Sequence, residues 1–165
     1  MKKTLILFSS GDIGGAERSL SRLASKGKKN EFLLGSLAGD ATTDADFNVG
    51  IGWGALGANT IGSKSVAVGV GALDAQNPAT AVDMLNTAVG HAAGGAVTTG
   101  IRNTFLGAEA GDAITEGNYN IAIGHECLSA DTLGSNNVAV GFEALSTEDA
   151  HGQNVAVGYQ AMKTL

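Results

Sequence analysis

Cysteine and proline each occur once, at Cys127 and Pro78. A single cysteine allows no disulfide within the chain, so packing and hydrogen bonds must hold the fold. One proline beside 25 glycines is unlike a disordered linker, which is usually rich in both. Aromatic residues make up only 5% of the chain, which calls for a thin, aliphatic core. No apolar run approaches the roughly 20 residues of a membrane-crossing helix, so no membrane span is expected. The opening Met1-Lys-Lys-Thr-Leu-Ile-Leu-Phe8 imitates a signal peptide. Its apolar stretch, Leu5 to Phe8, is shorter than the roughly 7–15 residues of such a leader's core, and it reads as a strand.

Basic residues are scarce and badly distributed. Lys and Arg number 10 against 16 Asp and Glu, for a net charge of −6. Residues 1–30 hold seven basic and two acidic side chains, whereas residues 31–165 hold three basic and fourteen acidic ones. Such asymmetry suggests two roles. Residues 1–30 form a basic attachment segment, a short strand (Thr4 to Phe8) followed by a short helix over Gly15 to Lys26, able to dock on a larger assembly. Residues 31–165 form an acidic shaft without the clustered Lys and Arg of a nucleic-acid surface.

What is present is a repeat. Phrases such as Asn137-Val-Ala-Val-Gly141-Phe-Glu-Ala-Leu145 and Asn154-Val-Ala-Val-Gly158-Tyr-Gln-Ala-Met162 recur around Gly35, Gly52, Gly69, Gly90, Gly107, Gly124, Gly141 and Gly158. The spacing is 17 residues except for 21 between Gly69 and Gly90. Seventeen residues fit two short strands and two turns, well below the periods of helical repeats. The alternation in Val-Ala-Val is a strand signal. One coil cannot bury its own apolar residues, but stacked coils can. The reading is therefore all-β, a parallel β-solenoid of about eight coils. At the strand spacing of ~4.8 Å it is a rod of about 38 Å. The four extra residues, within 74–85, are expected on a surface loop.

Each lattice position then becomes a column along the rod. Asn48, Asn86, Asn103, Asn120, Asn137 and Asn154 should form a structural ladder of side-chain amides, as stacked identical Asn do. A Thr column should form a second ladder on a turn. The small residue between the two branched ones should face away from the Val/Ile side. Since an exposed sheet face is normally polar, the apolar column Ala67, Ala88, Phe105, Ala122, Ala139 and Ala156 implies packing against sister chains, hence a symmetric homo-oligomer. The residue after each anchor glycine varies most. Trp53, His91, His125, Phe142 and Tyr159 are there, as a contact surface or as interface packing. His91 and His125 lie two coils apart, about 9.6 Å, too far to share an ion. No spaced set of ligands marks a metal site, and no cofactor or catalytic residue is expected. Cys127 takes a slot held elsewhere by Ala, which reads as a buried thiol.

The phrases Asn-Val-Ala-Val-Gly-Tyr-Gln-Ala and Ser-Val-Ala-Val-Gly-Val-Gly-Ala resemble the repeats of bacteriophage tail-fibre shafts. They are also similar to the head repeats of trimeric autotransporter adhesins, whose Ser-Val-Ala-Ile-Gly phrases form a left-handed parallel β-roll. The resemblance covers residues 31–165, with a longer period than the adhesins have. It implies a homotrimeric, non-enzymatic rod that works in a virion, or alternatively outside the cell or on a bacterial surface, where a host-surface receptor is a possible partner. A flat ice- or glycan-binding array is a more distant reading. Residues 5–20, Leu-Ile-Leu-Phe-Ser-Ser-Gly-Asp-Ile-Gly-Gly-Ala-Glu-Arg-Ser-Leu, resemble the opening strand, loop and helix of certain retaining glycosyltransferases. No second nucleotide-binding domain follows them.

Overall fold

A computed structural model describes residues 31–147 and 152–163. The strand and helix expected within residues 1–30 lie outside the described residues.

The described chain is all-β. Eight three-residue strands carry the repeat: β1 (Phe32–Leu34), β2 (Val49–Ile51), β4 (Val66–Val68), β6 (Thr87–Val89), β7 (Thr104–Leu106), β8 (Ile121–Ile123), β9 (Val138–Val140) and β10 (Val155–Val157). They pair in parallel, in register and in that order, as one eight-stranded sheet. Each strand is one rung, and about seven turns of solenoid join the eight rungs. The pairing matches the 17-residue period, because equivalent residues must lie side by side for every ladder bond to form. The 21-residue coil keeps the same register, Ala67 opposite Ala88, with its four extra residues carried outside the sheet.

The anchor glycines are a steric requirement. Gly107 has φ +139°, and a Cβ added there would lie 2.5 Å from the carbonyl oxygen of Gly124 in the next coil. No L side chain fits both that backbone angle and that approach. The chain turns its other corners in the left-handed region too, with Leu56 (φ 56°), Glu109 (φ 56°), Tyr119 (φ 59°) and Leu145 (φ 53°) as examples.

The four-residue insertion is more than a loop. It contributes β5 (Val82–Asp83), which pairs in parallel with β3 (Gly62–Ser63) as a second small sheet. Gln76, Pro78 and Met84 are buried, while residues 79–83 are exposed. Gln76 also mends the Asn column where Ser65 interrupts it. Its Oε1 accepts from Ser65 Oγ at 3.2 Å and from Asn86 Nδ2 at 2.9 Å.

The sheet faces the opposite way to the expectation. The middle residue of each strand points into the coil. Ala67, Ala88, Phe105, Ala122 and Ala139 are 0% exposed and Ala156 is 2% exposed. The Ala column therefore cannot be the surface that meets sister chains. The flanking Val, Ile and Leu residues point outward. The cause is the width of the lumen. The return leg of four coils supplies Leu56, Leu73, Leu128 or Leu145, all buried, which leaves room for only a small residue opposite. A Cβ added at Gly50 would meet Leu33 Cδ2 at 2.9 Å and lie in ordinary contact with Leu56 Cδ1 at 3.7 Å. Where the return leg has Gly in place of Leu, the strand supplies the volume. Phe105 fills the space beside both Gly94 and Gly111: a Cβ at those positions would lie 2.6 and 2.3 Å from its ring. Leu33 does the same beside Gly39.

Candidate functional site

Three features of the surface and lumen could carry function: the outer face of the sheet, the variable column after the anchor glycines, and the buried polar ladder.

The outer face carries two rows. Leu34, Ile51, Val68, Val89, Leu106, Ile123, Val140 and Val157 form one without interruption. Phe32, Val49, Val66, Ile121, Val138 and Val155 form the other, broken by Thr87 and Thr104. All are half-buried or exposed, and neither row contains a charge. Seven steps at ~4.8 Å give a face about 34 Å tall, and two side-chain rows make it about 10 Å wide. About 340 Å² of flat apolar surface is on the scale of the largest patches that single chains leave open.

The Asn column lies inside the coil rather than on this face. Asn86, Asn103, Asn120 and Asn137 are fully buried. From coil to coil they do not bond Asn amide to Asn amide as expected. Each Oδ1 accepts a backbone N–H of the next coil, while Asn86 Nδ2 also reaches Gln76 and Asn137 Nδ2 reaches Asp131. Asn103 Oδ1 accepts the N–H of Asn120 at 2.9 Å, and Asn120 Oδ1 that of Asn137 at 2.9 Å. Asn103 Nδ2 donates to the carbonyl of Gly117 and Asn120 Nδ2 to that of Gly134, both at 2.8 Å. Each Asn thus closes its own coil and clamps the next, satisfying backbone groups that would otherwise be buried unpaired. Asn48 makes the equivalent bonds to Ser65 and Gly62, and Asn154 N–H donates to Asn137 Oδ1. The Thr hydroxyls bond the next coil's carbonyl, Thr98 to Thr115 and Thr115 to Thr132.

The variable column is exposed at Trp53, His91, His125, Phe142 and Tyr159. In-register stacking turns its upper end into an aromatic pile. His125 and Phe142 lie 5.6 Å apart at 8°, and Phe142 and Tyr159 lie 5.4 Å apart at 9°. Trp53 and His91 have no such ring neighbour, because Val70 and Ala108 hold the intervening coils.

The next column was not singled out from the sequence, yet it carries most of the local charge. Glu109, Glu126 and Glu143 occupy successive coils one residue after the variable position. His91 Nδ1 lies 3.8 Å from Glu109 Oε1, and His125 Nδ1 lies 3.6 Å from Glu126 Oε1. Glu143 is bound by Lys163 and Gln160; the hydrogen bond from Lys163 is the main reason its carboxyl titrates below the usual range. Asp112 is displaced the other way. Burial, then the negative charges of Glu109 and Glu126, raise its pKa, and its Oδ1 is buried without a hydrogen-bond partner. The signal for this column was in the repeat, as Glu at the same phase in three consecutive copies.

Cys127 is buried among the core residues. Its pKa is pushed up to about 12 by burial, and its Sγ donates to Gly124 O at 3.1 Å. It is a core thiol in an unreactive state. Among the described residues no helix is long and apolar enough to cross a membrane. Comparison with protein-family models, curated proteins and solved structures returns no match.

Proposed function

We propose that this chain is a non-enzymatic structural rod, the trimeric shaft of a virion fibre or spike. The outer face of its eight-stranded sheet is the surface through which copies pack. One observation carries this reading. All-parallel sheets are stable with both faces covered, and here the lumen covers one face while the other, apolar and uncharged, is left open by the described residues. A second copy suits that face better than an unrelated partner, because a row that repeats every coil is complementary to another row of the same period. A ladder-bonded rod with an acidic exterior suits a spacer that must stay straight and soluble. The basic residues 1–30 would join it to its assembly, leaving the variable column to meet a host surface.

The test is solution mass by light scattering. The full chain is expected at about three times its 16.5 kDa. Val140→Glu, in the unbroken outer row, is expected to bring it to the monomer mass with the coil's circular dichroism retained. A wild-type monomer at micromolar concentration would overturn the packing. Fractionation of the producing culture addresses the setting: the chain should travel with virus particles, and recovery with the cell envelope would favour a surface adhesin instead.

A further inference from the structure

Glu109, His125 and Glu126 offer three ligand atoms that all lie within 4.8 Å of one another. We propose that these three side chains form a binding site for a divalent transition-metal ion, with Zn²⁺ as the type case. The spacing is close to what one ion needs: ligands at about 2.0–2.2 Å in tetrahedral arrangement stand roughly 3.4 Å apart. Exposed glutamate side chains can close the difference by rotation about their own bonds.

Three independent observations support the assignment. The first is charge. The solenoid places Glu109 and Glu126 at the same turn position of successive coils, and like charges that close repel. Among the described residues the Lys and Arg side chains are Lys64, Arg102 and Lys163. Lys64 pairs with Asp83 at 2.6 Å, Arg102 donates to Tyr119 Oη at 2.7 Å, and Lys163 binds Glu143. Among the described residues, Glu143 therefore has its cation, while the ion-pair partners of Glu109 and Glu126 are histidines. The second is orientation. The stack against Phe142 holds the His125 ring plane, and Nδ1 at its edge faces Glu126, so the imidazole is placed before any ion arrives. The third is the neighbouring Asp112, whose unpartnered buried oxygen adds negative field to the same corner.

The donor set selects the class of ion. One imidazole nitrogen and two carboxylates suit Zn²⁺ and its transition-metal neighbours. Ca²⁺ and Mg²⁺ take oxygen ligands and complete their shells with water, so neither gains from the imidazole nitrogen that His125 contributes. Three protein ligands leave a coordination position open to water or to a donor from another molecule. The sequence reading weighed only one column, in which His91 and His125 stand two coils apart. The site uses two adjacent columns across a single coil step.

Isothermal titration of the full chain with Zn²⁺ tests this directly. Saturable binding near one ion per chain is expected, with Ca²⁺ failing to compete. Glu109→Gln with Glu126→Gln should weaken binding by at least ~10-fold, the loss seen when even a supporting partner of a metal ligand is removed. Those substitutions are safe for the fold, because Gln160 holds the same corner with φ 51°. His125→Ala should weaken binding at least as much, and more than His91→Ala, whose imidazole only neighbours the Glu109 ligand at 3.8 Å. Undiminished binding in the glutamate pair variant, dependence on His91 in place of His125, equal affinity for Ca²⁺, or no saturable Zn²⁺ uptake would each overturn the site.

Discussion

Replacing Phe105 with Ala tests how this rod fills its lumen. Phe105 is 0% exposed and occupies the space beside Gly94 and Gly111, where other coils carry a leucine. Deleting its ring should cost about 3–5 kcal/mol, the usual penalty for a buried Phe truncated to Ala. Gly111→Leu alone should also destabilise, by about 1–3 kcal/mol for overpacking, since even its Cβ would fall 2.3 Å from the Phe105 ring. A further cost of about 1 kcal/mol comes from placing a side chain at φ 60°. Combined, the two changes recreate the Ala-opposite-Leu coil found at Ala139 and Leu145. The new leucine restores most of the lost volume and recovers about 1.5–3 kcal/mol by its burial, and the clash is gone. The double variant should therefore be more stable than the sum of the single losses by at least about 2 kcal/mol. Urea denaturation followed by far-ultraviolet circular dichroism, at one protein concentration for all four proteins, measures the cycle. Additivity to within about 0.5 kcal/mol would show that strand and return leg do not share volume, and the account of the lumen would fail.

Ala139→Glu places an unpaired charge in the lumen beside Ala122 and Ala156. It should cost about 3 kcal/mol or more and remove the cooperative dichroism transition at moderate temperature; a folded but dissociated chain would instead return the Ala column to a subunit interface. Cys127 should resist an aromatic disulfide reagent at pH 8 in the native state and react fully in urea, and prompt native reaction would contradict its burial. Its folded pKa of about 12 lies above the reference value of 9.0, so its contribution to stability is complete below pH 9 and declines as pH rises toward 12, because the unfolded thiol ionises first. Urea midpoints of wild type and Cys127→Ala should accordingly converge as pH rises through that window, and a constant difference would refute the linkage.

Which parts were legible follows from what each depends on. The 17-residue period, the strand triplets and the glycine corners are properties of a single coil, and a repeated phrase states them openly. Direction could not be read the same way. The triplet Val-Ala-Val alternates, so one class must face inward, and choosing the larger is the ordinary rule for a wide core. This lumen is narrow because Leu73, Leu128 and Leu145 already occupy it from the return leg, so Ala goes in and Val goes out. The compensation between Phe105 and Gly94 or Gly111 was visible as two exceptions in two columns. It acquires meaning only once those columns are known to touch.

The sequence by itself determined the number of rungs, their register and the positions that repeat, because a 17-residue period leaves a stacked coil no other way to pair. Only the tertiary structure decided which face is core, how Asn binds backbone rather than its own kind, and that Glu109, His125 and Glu126 share one corner. Those outcomes depend on distances across the coil and between coils, which a one-dimensional pattern orders but does not measure.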